Sequence, residues 1–142
     1  MKNSLKLAGC LLLLAGTAWA DDCKVIVNSG NATSTIDREK VTRLFLKKQT
    51  KWDSGEAVLP VDQVDGASKD TFSRQMLDKS PAAVKSFWQQ QIFSGRDVPP
   101  PQKQTDQEVI EFVKSRPGAV GYVSAQANTD GVKVLKVEGA KP

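Results

Sequence analysis

The sequence predicts an α/β domain in which a mixed sheet is covered by helices. Three observations predict it. Short Val- and Ile-rich runs alternate along the chain with amphipathic stretches of helical period, so strand and helix signals interleave instead of segregating. The usage, 39% hydrophobic and 25% charged over 142 residues, is that of one ordinary globular domain. No apolar run approaches the roughly 20 residues that a membrane-spanning helix needs.

Residues 1–20 read as a segment separate from the fold. Lys2 and Lys6 make a short basic start, Leu7 to Gly16 is almost continuously apolar, and Ala18-Trp19-Ala20 has the small-x-small pattern cut by signal peptidase before Asp21. The expectation is a secretory signal at 1–20 and one domain at 21–142, periplasmic or secreted. The alternative is a lipoprotein box, Leu7-Ala8-Gly9-Cys10, with Cys10 as the lipidated terminus, although Leu11 to Leu14 prolong the apolar region beyond it. Without residues 1–20 the chain has 122 residues and a net charge of +2. Cys23 is then the single cysteine, so no intramolecular disulfide forms. It reads as a small apolar residue opening a strand, or as half of an intermolecular bridge.

The elements follow in order. Lys24 to Asn28 reads as a buried strand ending in the turn Asn28-Ser29-Gly30-Asn31. Asp37 is an N-cap, Ile36 and Val41 occupy the staple positions around it, and Val41, Leu44 and Phe45 form the apolar stripe of the helix that follows. Thr50 to Gly55 reads as a loop, with Trp52 the one aromatic placed to stay exposed for a partner. Ala57 to Val64 reads as a second strand and Asp65-Gly66 as a turn. Ser68 is expected to cap a helix bearing Phe72, Met76 and Leu77, and Ser80-Pro81 to start another with Val84, Phe87, Trp88 and Ile92 on one face. Gly95 to Pro101 reads as an extended linker. Thr105-x-x-Glu108 is a capping box introducing Val109, Ile110, Phe112 and Val113, and Pro117-Gly118 ends that helix. Ala119 to Val123 and Val132 to Val137 read as two closing strands. Val25–Val27, Val58–Val61, Ala119–Tyr122 and Val132–Val137 are expected in one sheet, with Phe45, Phe72, Trp88 and Val113 buried beneath the helices.

Composition excludes several chemistries. With no histidine and one mature cysteine, zinc, haem and iron–sulfur sites have no ligand set, and Ser-His-Asp or Cys-His catalysis has no base. No cofactor and no enzyme activity are expected. Asp62, Asp65 and Asp70 miss the alternate spacing of a calcium loop. Lys47, Lys48 and Lys51 form the one basic run and read as a solvated helix end and loop, so no nucleic-acid partner is expected.

Val27-Asn28 and Asn31, Ile36 to Leu46, Lys51-Trp52 with Gly55, Leu59-Pro60-Val61, and Gly66-Ala67-Ser68 with Phe72 together resemble the middle section of phosphate-type periplasmic substrate-binding proteins. Phe87-Trp88, Phe93-Ser94-Gly95, Pro99-Pro100, Val113 and Pro117-Gly118-Ala119-Val120-Gly121-Tyr122 resemble the small single-domain members associated with phosphate transporters. The resemblance spans about residues 24–137 and implies a single lobe of the type II periplasmic-binding-protein fold. It also implies capture of phosphate or a similar small oxyanion for an ABC transporter.

One segment has the physics for that ligand. Asp65-Gly66-Ala67-Ser68-Lys69 joins a strand to a helix, so the free N–H groups and the positive end of the helix dipole face the loop. Gly66 admits close backbone approach, Ser68 offers a hydroxyl and Lys69 a charge. The expected oxyanion site is Gly66, Ala67, Ser68 and Lys69, with Asn28 and Ser29 as the opposite wall because both segments follow strands.

The sequence departs from the family in two ways. Gln63 stands near the place of the family's anion-clamping arginine, and one lobe lacks the half that closes over the ligand. A homodimer or a partner protein would supply the rest. The rival expectation is an envelope interaction subunit that has lost ligand capture and docks a partner, either a membrane transporter or another envelope protein.

Overall fold

The computed structural model describes residues 23–141. Residues 1–20, where a signal segment is expected, and Cys10 among them lie outside the described residues. Strand β1 (Cys23–Asn28) leads through β2 (Thr35–Asp37) into α1 (Arg38–Phe45). Two short strands, β3 (Leu59–Pro60) and β4 (Asp62–Gln63), precede helices α2 (Ala67–Gln75) and α3 (Pro81–Phe93). The chain closes with β5 (Gln102–Lys103), α4 (Asp106–Ser115), β6 (Ala119–Ser124), β7 (Val132–Val134) and β8 (Lys136–Glu138). No described helix is long and apolar enough to cross a membrane.

The main sheet has the order β3-β6-β1-β7 and is mixed. β1 runs antiparallel to β6 and β7, with Val25 opposite Tyr122 and Ile26 opposite Val134, whereas β3 runs parallel to β6. Alternation along these strands divides the core into two layers. Val25, Val27, Val120 and Tyr122 face α1, α2 and α3, packing on Val41, Leu44, Phe45, Phe72 and Trp88. Ile26, Ala119 and Val123 face the other way, onto Val61 and onto Val109, Ile110 and Val113 of α4. β6 is therefore covered on both faces, and its sequence AVGYV is nearly all apolar for that reason. Gly121 lets α4 approach: a methyl group there would lie 2.8 Å from Val61 and from Val109.

The expected caps form at three helices. Asp37 accepts the Lys40 N–H at 2.7 Å, Ser80 accepts that of Ala83 at 3.1 Å and Thr105 that of Glu108 at 3.2 Å. Glu108 returns a carboxylate oxygen to the N–H of Gln104, at 3.0 Å, one residue before the cap. Phe45, Phe72, Trp88 and Val113 are buried as expected.

Other expectations are corrected. Ala57 to Val64 is not one strand. β3 pairs with β6 only at Leu59 and Pro60, and beyond Val61 the chain changes partner, forming a parallel two-stranded ladder between β4 and β5. Val132 to Val137 likewise divides: β7 pairs with β1, then the chain turns through buried Leu135 and β8 pairs in parallel with β2. Ile92 is exposed. Trp52 is buried at 4% exposure, and its indole N–H donates to the carbonyl of Gly118 at 3.0 Å, so it joins the loop to the start of β6 and is no partner-facing aromatic.

Candidate functional site

The strand-to-helix segment after β4 has the geometry that the glycine there predicts. Gly66 has φ 104° and ψ 177°, a conformation closed to most side chains, and it is itself the N-cap of α2. Ser68 therefore does not cap the helix but lies in its first turn. The N–H of Asp70 is the first to close back, onto the carbonyl of Gly66 at 3.1 Å. The N–H groups of Ala67, Ser68 and Lys69 precede it and have no carbonyl within the helix to meet. Gly66 and Ala67 are exposed, and Ser68 and Lys69 half-buried.

The charges around that turn are largely committed to the fold. Lys69 donates to the carbonyl of Gln63 at 2.8 Å and to Asp62 at 3.3 Å, with both ionic side chains 16% exposed. The second oxygen of Asp62 accepts from the hydroxyl of Tyr122 and from the N–H of Gln63, the latter at 2.8 Å. Burial, reinforced by the Asp62 charge, holds the Tyr122 phenol far above its ordinary pKa. Gln63 points inward, donating its amide to the carbonyl of Tyr122 at 2.9 Å and to Asp106 at 3.1 Å. Asp106 in turn accepts from the hydroxyl of Ser124 at 2.6 Å. One polar network thus ties β4, α2, α4 and β6 together and fixes the start of α2. Gln63, expected near a clamping position, is a member of that network and not of a ligand wall.

A cavity of about 540 Å³ opens beside the first turn of α2, against α3 and the Pro99 to Gln102 segment. Its apolar part includes Val84 and Trp88. Asp62, Asp65 and Asp70 line it together with Lys69 and Lys85, an excess of one negative charge. That field opposes an anion and offsets part of what the helix dipole offers.

Asn28 and Ser29 are not the opposite wall. Because β1 is antiparallel to β6 and β3 is parallel to β6, β1 and β3 end at opposite edges of the sheet. From Cys23, which pairs with Ser124 near Gln63, β1 carries the chain about 17 Å away to Asn28. There Asn28 donates to the carbonyls of Val113 and Lys114, at 3.0 and 3.1 Å, and closes the C-terminal end of α4. Gly66, Ala67, Ser68 and Lys69 stand together; Asn28 and Ser29 stand apart from them.

The sequence reading missed the buried network. Asp62 was weighed only against the spacing of a calcium loop, although a polar pair directly after the apolar Val58 to Val61 was the available signal.

No protein-family model and no curated protein sequence matches the chain. Solved structures do. An ABC-type phosphate transport receptor from Vibrio cholerae superposes with a TM-score of 0.65 at 17% identity, over 86% of this chain and 48% of its own. A phosphate ABC transporter substrate-binding protein with bound phosphate, from Clostridium perfringens, gives 0.66 at 17% identity, covering 85% of this chain and 46% of its own. PstS from Borrelia burgdorferi gives 0.61 at 15% identity over 86% and 49%. The chain has the fold of these proteins and spans about half their length.

Proposed function

We propose that this chain is an exported, single-lobe binding module of the substrate-binding-protein type, acting by binding and not by catalysis. Its ligand is a small oxyanion such as phosphate, taken for an ABC transporter. The observation that carries this is the exposed first turn of α2. Gly66, at φ 104° with nothing within 4 Å of where a side chain would begin, leads directly to the three free N–H groups of Ala67, Ser68 and Lys69. The phosphate-binding proteins that share the fold support the reading.

The same surroundings set the strength. Lys69 is already neutralised by Asp62, Asp65 and Asp70 flank the turn, and among the described residues no second lobe covers it. A dissociation constant in the millimolar range, about −4 kcal/mol, is expected. Titration calorimetry with phosphate and with sulfate tests it. Gly66→Val meets no clash but strains the backbone at φ 104°, displacing the three N–H groups and abolishing binding. If Gly66→Val binds as the parent does, the oxyanion sits elsewhere.

The second reading, an interaction subunit docking a membrane transporter or envelope protein, is favoured by one observation: Ile92, Phe93 and Val98 are 53%, 95% and 59% exposed. Absence of measurable binding for both ions at tens of millimolar leaves that reading in place of the first.

A further inference from the structure

The C-terminal end of α3 carries an apolar anchor that none of the described residues covers. Phe93 is 95% exposed, whereas the residue before it, Ile92, lines the cavity beside α2. Residues four apart on a helix point within about 40° of each other, so Phe93 lies one turn beyond Gln89, which lines the cavity, and its ring stands at the rim in solvent. It does not fill the cavity of its own chain. A phenyl ring fits comfortably in a space of about 540 Å³ with Trp88 and Val84 on its wall.

The charges beside the anchor and around the cavity are complementary. Arg96 follows three residues after Phe93, held by the hydrogen bond from its own N–H to the carbonyl of Gln91 at 3.0 Å, and its guanidinium has no ion-pair partner among the described residues. Asp65 and Asp70 border the cavity, also without an ion-pair partner among the described residues. The Asp62–Lys69 pair is internally neutral, so these two carboxylates face only Lys85 on the cavity wall, and one negative charge is left over. Anchor with free cation, and cavity with surplus carboxylate, are thus two halves of one contact carried by one chain.

We propose that two copies of this chain form a two-fold dimer through this face, each inserting Phe93 into the cavity of the other and setting Arg96 against its Asp65 and Asp70. Because anchor and cavity belong to the same surface, a two-fold axis satisfies both at once and the assembly closes without growing into a filament. A central aromatic anchor ringed by polar groups is the arrangement that concentrates interface energy. The dimer requires no bound oxyanion, so it stands or fails separately from ligand capture.

Sedimentation velocity of the protein from micromolar to submillimolar concentration tests it. The parent is expected to shift from monomer to dimer over that range. Phe93→Ser and Arg96→Glu, both at exposed positions, are expected to weaken the dimer at least about tenfold with unchanged thermal melting. Combining Arg96→Glu with Asp65→Arg and Asp70→Arg is expected to restore it. A parent that stays monomeric throughout, or a Phe93→Ser variant that dimerises as tightly as the parent, overturns the interface; charge reversal without rescue overturns the assigned pairing.

Discussion

Tyr122→Phe removes one hydroxyl and separates the buried polar network from the packing around it. The ring of Tyr122 lies parallel to that of Phe72 with centroids 4.0 Å apart, and phenylalanine keeps that contact. What is lost is the hydrogen bond to Asp62 and the one accepted from the N–H of Gln63 at 3.2 Å. A hydrogen bond to a charged group contributes about 1.5–3 kcal/mol. Neither partner is orphaned, since Asp62 keeps Lys69 at 3.3 Å and the Gln63 N–H keeps Asp62 at 2.8 Å. A loss of about 2 kcal/mol is therefore expected near neutral pH.

Alkaline pH makes the prediction sharper. Burial first, and then the charge of Asp62, holds the phenol far above its ordinary value of 10.0. Below about pH 10 the phenol is protonated in both folded and unfolded chains and its contribution to stability is constant. Above that, the unfolded chain releases the proton and the folded chain keeps it, so stability falls by about 1.4 kcal/mol per pH unit. The variant lacks this slope. Its deficit of about 2 kcal/mol should shrink to nothing near about pH 11.5. Urea unfolding at about pH 8 and pH 11 measures the gap. Tyr122 is the single tyrosine of the chain, so tyrosinate absorbance reports this group alone. A folded-state phenol that titrates at its ordinary pH, or a gap that stays constant between the two conditions, refutes the network.

Two further substitutions probe the core. Phe72 is 2% exposed and meets Phe45 edge-on at 4.6 Å, so Phe72→Ala should cost about 3–5 kcal/mol and lower the melting temperature by roughly 10–20 °C; an unchanged melting curve means that α2 packs elsewhere. Gly118→Ala places a methyl group 1.9 Å from the carbonyl oxygen of Ala57, at the point where Trp52 and Leu59 both donate to the Gly118 carbonyl. Forcing those backbones apart should cost about 1–3 kcal/mol, read as a lower urea midpoint, and a midpoint equal to the parent's contradicts that close approach.

The caps at Asp37, Ser80 and Thr105 were legible because each is a side chain bonding a backbone N–H three residues on. Ser68 satisfied the same residue-type criterion and failed, since Gly66, at φ 104°, had already turned the chain into the helix. The two apolar runs read as single strands failed for a non-local reason. Ala57 to Val64 and Val132 to Val137 each exchange hydrogen-bond partners part-way, and the partners, β5 and β2, were short segments with no apolar run of their own. Trp52 misled in the opposite direction. A loop position says nothing about burial when the indole N–H has a carbonyl 66 residues away to bond.

The site was legible only on one side, and strand direction is the cause. Lys24 to Asn28 and Ala57 to Val64 both read as strands followed by a turn, and in an all-parallel sheet their ends would share one edge. Whether two runs lie parallel is decided by which strands come between them and how these are connected, which no residue in either run records. Here β6 intervenes, antiparallel to one and parallel to the other, and sends Asn28 to the far edge. An oxyanion at Ala67, Ser68 and Lys69 would therefore meet backbone N–H groups on one side and no facing wall among the described residues on the other, so that each contact would be screened by water. The polar residues nearest the turn explain why it is nevertheless so well fixed: Asp62, Gln63 and Tyr122 hold its position and, in doing so, consume the Lys69 charge that a tighter site would have used.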